Sequence, residues 1–139
     1  MTPSKAPLPF LGTWKLTKCE SSHPNLPHAM SGMTTFTQEK DGIHYNADTV
    51  WSDGRKSTAS AVLQMDGTWC PITGSLLADS LSIRHLENGS LEAKMQKGGV
   101  DVGSTHSSYS ADGRTSTGNW KFAGPGGITV TWTTTSERQ

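Results

Sequence analysis

Five times in this chain an Asp or Asn is followed by Gly: at Asp41, Asp53, Asp66, Asn88 and Asp112. Each pair stands between short stretches rich in Thr, Val, Ser and aromatic residues. Both members of such a pair tolerate the positive φ of a tight hairpin turn, so the pattern predicts consecutive antiparallel strands. A sheet of that kind must protect its edges, and closing it into a barrel does so most completely. The expected fold is therefore all-β, an antiparallel up-and-down barrel of about eight to ten strands.

The strands are expected at 11–19, 33–39, 43–50, 56–65, 68–73, 80–86, 90–96, 101–110, 114–122 and 128–135. Trp14 and Leu16 share one face of the first, with Thr13 and Lys15 on the other. The stretch from Glu20 to Gly32, carrying Pro24 and Pro27, is too long for a hairpin turn and reads as a closure segment, with a short helical turn at 28–30. No long window shows a 3.6-residue apolar period. The similarity of Ser52-Asp-Gly-Arg-Lys-Ser-Thr58 to Ala111-Asp-Gly-Arg-Thr-Ser-Thr117 reads as one favourable turn used twice. Ala123-Gly-Pro-Gly-Gly127 lacks the Lys-Ser/Thr ending of a phosphate loop and is expected to be a hairpin or corner loop.

At 139 residues the chain suits one core, and only 32% of it is hydrophobic. Disorder would normally pair that low apolar content with high net charge, yet the formal charge here is zero. Thr and Ser on the outer face of a half-buried sheet account for the composition instead. Twelve basic and twelve acidic residues are dispersed, which argues against nucleic acid as a partner. No segment has the length or apolarity of a membrane span, and the opening residues lack the apolar run of a signal peptide. Cys19 and Cys70 have neither redox nor zinc-knuckle spacing and read as free thiols, with a single bridge as the alternative. A cytoplasmic setting is the resulting expectation.

The segment Phe10-Leu-Gly-Thr-Trp-Lys-Leu16 resembles the first strand of fatty-acid-binding proteins and the Gly-x-Trp signature of lipocalins. That resemblance gives Gly12 and Trp14 a structural role, Trp14 closing the narrow end of the barrel. Leu11-Gly-Thr-Trp-Lys-Leu16, Asp66-Gly-Thr-Trp-Cys-Pro-Ile-Thr-Gly74, Ala78-Asp-Ser-Leu-Ser-Ile83, Lys97-Gly-Gly-Val100 and Ser110-Ala-Asp-Gly-Arg-Thr115 together resemble small bacterial lipocalin-like proteins over roughly residues 8–135. The resemblance implies a calycin-type barrel at 10–136, between a tail at 1–9 and another at 137–139. The Thr-Asp-Tyr motif of many lipocalins is missing, as is the Arg-x-Tyr pair with which fatty-acid-binding proteins hold a carboxylate. Arg138 is expected outside the barrel.

The function to which these features point is non-covalent binding of a small apolar or amphipathic molecule inside the barrel. Trp51, Trp120, Phe122 and Trp132, distributed over three strands or strand ends with Trp120 and Phe122 on one face, are the candidate ligand-binding aromatics, and Trp69 belongs to the same distributed set. His44 and His106 are candidate polar contacts. The alternative is an enzyme in which His85 or His106 serves as base and Tyr45 or Tyr109 as hydrogen-bond donor, for an isomerisation, elimination or cyclisation. A filled barrel acting as an interaction module is a third reading. The five histidines are scattered without local metal-ligand spacing, so neither a metal nor a cofactor is expected. Self-association into a homo-oligomer is compatible with any of these readings.

Overall fold

A computed structural model describes residues 8–139, and ten antiparallel strands there close into one barrel. They are β1 (Gly12–Ser21), β2 (Ala29–Glu39), β3 (Gly42–Trp51), β4 (Lys56–Leu63), β5 (Asp66–Thr73), β6 (Ser80–His85), β7 (Leu91–Lys97), β8 (Val100–Tyr109), β9 (Thr115–Ala123) and β10 (Thr129–Arg138). Each strand pairs with its neighbours in sequence, and β1 pairs with β10 to complete the ring. A short 3-10 turn at Pro125–Gly127 forms the expected corner before β10. Among the described residues no helix is long and apolar enough to cross a membrane.

Four of the five Asp-Gly or Asn-Gly pairs lie at turns between strands. The exception is Asp66-Gly67, which begins β5 at a break in its register with β6. The turn before it uses Met65 at φ 63°, a conformation that the composition did not announce. The two Asp-Gly-Arg turns have the same local geometry: Asp53 Oδ1 accepts the Arg55 backbone N–H, and Asp112 Oδ1 that of Arg114, each at 3.0 Å. They sit at opposite ends of the barrel, one between β3 and β4 and the other between β8 and β9. Local chemistry explains their similarity.

The closure segment is shorter than expected. β1 continues to Ser21 and β2 begins at Ala29, so residues 22–28 remain as the connection, and 29–30 is strand in place of the expected helical turn. β10 likewise runs through Glu137 and Arg138, which are paired with Lys15 and Trp14 and form no tail. Of the expected tail at 1–9, residues 1–7 lie outside the described residues, while Phe10 just after it is completely buried.

Alternation puts one face of each strand inside. Phe10 and Leu63 are the two largest fully buried side chains. Beneath the barrel, the Phe10 ring meets Phe36 and His85 edge-on, each with centroids 5.5 Å apart. Phe36 in turn packs on Tyr45 at 5.4 Å. This is the closed end, where β1 starts and β10 finishes. The other end carries the connections 22–28, 52–55, 74–79, 98–99 and 124–128.

One junction of the ring is thin. β4 and β5 share only the pairs Ser60–Thr73 and Ala61–Ile72, whereas β3 and β4 share eight from Ile43–Leu63 to Val50–Lys56. At the paired end of this junction Gly74 adopts φ +77°, and an added Cβ would fall 1.9 Å from the Thr58 carbonyl oxygen. Close approach of two backbones there requires glycine.

Candidate binding cavity

The inward faces do not fill the barrel. They enclose a cavity of about 210 Å³ that extends from Trp14 at the closed end to Trp51 and Trp132 near the other. The strands β5, β6 and β7 line it with Ile72, Leu81, Ile83, Leu91, Ala93 and Met95. The next three strands turn hydroxyls toward it: Thr105, Ser107 and Tyr109 from β8, Ser116 from β9, and Thr134 and Ser136 from β10. Thr34 and Thr49 continue the polar lining on β2 and β3. Among the described residues no Asp, Glu, Lys, Arg or His lines the cavity.

Four aromatic rings form a cluster toward the end opposite Trp14. Trp132 lies 5.8 Å from Trp51, 5.9 Å from Trp120 and 4.6 Å from Phe122, centroid to centroid. Trp120 and Phe122 stack at 5.8 Å with an interplanar angle of 22°. Trp51, Trp120 and Trp132 line the cavity; Phe122 stands behind Trp132, in the core and off the lining. The Trp51 Nε1–H donates to Ser57 Oγ at 2.9 Å, and that of Trp120 to Thr134 Oγ1 at 3.0 Å. Trp132 is only 5% exposed, and its Nε1 has no partner among the described residues. Thr105 Oγ1 is buried and unpartnered in the same sense.

The candidate polar residues separate into three groups. Tyr45 and Tyr109 face inward and line the cavity. Burial pushes the Tyr45 phenol up to about 12. Burial likewise raises Tyr109, against the opposing influence of Arg138 and a hydrogen bond with Ser116. Both remain protonated donors at neutral pH. His44 and His106 correct the expectation made for them, because each is exposed on the outer face of its strand. His44 Nε2 is paired with Asp41 Oδ1 at 2.7 Å, and that hydrogen bond holds the Asp41 carboxyl below its usual range.

His85 shares the inward phase of Leu81 and Ile83, but it sits beyond the cavity floor. Its ring packs against Phe10, and its Nε2 is buried without a partner among the described residues. The rings of Phe10 and Phe36 stand between it and Tyr45. The expected histidine-tyrosine pair is therefore not assembled at the cavity. Trp69 also faces outward, 41% exposed, in a surface groove with Arg84, Glu92 and Lys94. Cys19 and Cys70 are free thiols, the former with its pKa raised by burial. Among the described residues no three His, Cys, Asp or Glu side chains gather as a metal site would need.

Trp14 closes the floor. It is 3% exposed, and its Nε1–H donates to the Phe10 carbonyl at 2.9 Å. Gly12, at φ +115°, has no side chain because the space is taken: a Cβ there would lie 2.5 Å from Arg138 Nη1. Arg138 is on the exterior, as expected, but it acts as a cover beneath the tryptophan.

The hydroxyl arc was the largest omission from the candidate residues. A usable signal was present on β10, where Trp132 sets the inward phase that Thr134 and Ser136 continue. β8 held no such marker, because both of its faces are polar.

A scan against protein-family models finds no match, and a search of curated proteins finds none. Solved structures do show the same fold. The zebrafish ileal bile acid-binding protein, in a crystal structure complexed with cholic acid, matches with a TM-score of 0.57 at 12% identity, over 94% of this chain and 99% of that one. The S-type phycobiliprotein lyase of Guillardia theta matches with a TM-score of 0.55 at 12% identity, over 94% and 89%. At this identity the likeness concerns the fold alone: a closed antiparallel β-barrel.

Proposed function

We propose that this protein binds a small, mainly apolar molecule non-covalently inside its barrel, as a carrier or sensor. The observation carrying this reading is the unfilled interior, about 210 Å³ in volume, between an aliphatic arc and a tryptophan cluster. Covering apolar ligand surface there contributes roughly 25 cal/mol per Å², offset by the cost of ordering the ligand. The volume lies below the range of about 300–1,000 Å³ usual for drug-sized sites, which favours a small occupant. The structure of the bile acid-binding protein complexed with cholic acid supports small-molecule binding as a use of such a barrel. Resemblance to small bacterial lipocalin-like proteins supports the barrel on which this reading depends, and carries no activity of its own. A cytoplasmic setting forms part of the proposal, supported by the two free thiols.

Displacement of an environment-sensitive dye, combined with native mass spectrometry, tests this directly. One-to-one displacement by apolar compounds is expected, weakened by Trp120→Leu. Failure of chemically diverse apolar compounds to bind would defeat the proposal.

A further inference from the structure

We infer that the cavity selects an uncharged ligand bearing a hydrogen-bond acceptor, such as a ketone or ester oxygen, and that Trp132 Nε1–H donates to it. This rests on the binding reading above and adds the chemistry of the ligand. The first support is the lining itself. Among the described residues it offers hydroxyls and indoles but no charged side chain or histidine. An anion entering such a site gives up its hydration and meets no counter-charge. A neutral molecule escapes that penalty.

The second support is the unmade hydrogen bond. Trp51 and Trp120 each donate their indole N–H to a hydroxyl of the barrel wall, at 2.9 and 3.0 Å. Trp132 lies between these two rings, yet its Nε1 has no partner among the described residues. No water reaches a donor buried in this way, so it gains its hydrogen bond only from a ligand that shifts the side chains covering it and supplies an acceptor. The strand register sets a second unpartnered group in the same row. Thr105 on β8 pairs with Trp120 on β9, which pairs with Trp132 on β10. Thr105 Oγ1 thus flanks Trp120 on the side opposite Trp132, and its hydroxyl can both donate and accept. The ligand's polar part is thereby assigned to the β8–β10 arc and its apolar body to the aliphatic arc of β5–β7.

Three compounds of similar shape test the inference: 2-acetylnaphthalene, 2-ethylnaphthalene and 2-naphthoate at neutral pH. The indole N–H resonances in a 15N-labelled sample provide the readout, with that of Trp132 identified by its loss in Trp132→Phe. The ketone is expected to bind about fivefold more tightly than the ethyl compound and to move the Trp132 signal downfield. The carboxylate is expected to bind about a hundredfold more weakly than the ketone. Trp132→Phe should remove the preference for the ketone while retaining ethylnaphthalene binding. If that variant does not fold, the three affinities still decide. Naphthoate binding as tightly as the ketone, or equal binding of ketone and ethyl compound with Trp132 unmoved, overturns the ligand class and leaves apolar binding standing. No binding by any of the three overturns the inference together with the reading beneath it.

Discussion

The guanidinium carbon of Arg138 lies 4.4 Å from the centroid of the Trp14 ring, directly across the β1–β10 pairing. The same side chain donates to the carbonyls of Pro9 at 2.6 Å and Gly113 at 2.7 Å, and also to that of Leu11. One residue therefore joins the segment entering β1, the β8–β9 turn and the floor tryptophan. A planar cation with several fixed donors can satisfy all three, which lysine cannot. Arg138→Lys is expected to recover little of the stability lost in Arg138→Ala, a loss of about 1–3 kcal/mol measured by urea denaturation. Full rescue by lysine would show that charge alone mattered.

Trp14 and Trp120 should respond differently to truncation. Trp14→Ala opens a hole in the floor and is expected to cost about 3–5 kcal/mol in the ligand-free protein. Trp120→Leu keeps part of the packing at a half-buried position and should weaken binding more than folding. Denaturation followed by titration of the folded variants checks both outcomes. Equal stability losses with equal binding losses would contradict the division of roles.

Gly74→Ala is expected to destabilise the barrel by about 2–4 kcal/mol, because it combines a strained backbone with a clash. The clash would fall at the end of the β4–β5 junction that is still paired. Gly54→Ala, at φ +88° but with nothing within 4 Å of the added Cβ, isolates the backbone component. Comparable losses in the two variants would remove the case for close approach.

Alkali should unfold the protein through its buried phenols. Tyr45 has a folded pKa of about 12, above its ordinary value of 10.0, so the folded state holds the proton longer. The resulting stability is complete below pH 10 and declines as pH rises from about 10 to 12, by roughly 2–3 kcal/mol for this group. Tyr109 acts in the same direction. Tyrosinate absorbance that rises together with loss of tertiary structure would agree. Ionisation near pH 10 in a fully folded barrel would not. Tyr45→Phe should flatten the decline.

The strand order was readable because turn chemistry is local. Asp41-Gly42, Asn88-Gly89 and Asp112-Gly113 each carry their own backbone preference, so the hairpins follow without knowledge of the rest. The direction of each side chain depends on strand phase, and phase is visible only where the two faces differ. On β10 the alternation of Val130 and Trp132 with Thr129 and Thr131 reveals it. On β8, Thr105, Ser107 and Tyr109 alternate with Ser104, His106 and Ser108, and neither set looks apolar. His106 was consequently a candidate for the cavity although pairing with β9 places Thr105 on the inner face beside Trp120. His85 had the inward phase, but its depth along the barrel depends on where Phe10 folds beneath the floor, a contact distant in sequence.

The two-pair junction between β4 and β5 changes how the ring as a whole can fail. A closed sheet has no first strand to lose, so loosening it means cutting it somewhere. Cut at this seam, the barrel becomes a ribbon whose ends are β4 and β5 and in whose interior β1 stays paired with β10. The two strands most distant in sequence would then remain paired, while strands joined by a two-residue turn separate first. Such a ribbon would present two fresh edges capable of pairing with another molecule. The seam is consequently the place where loss of closure turns into a risk of self-association.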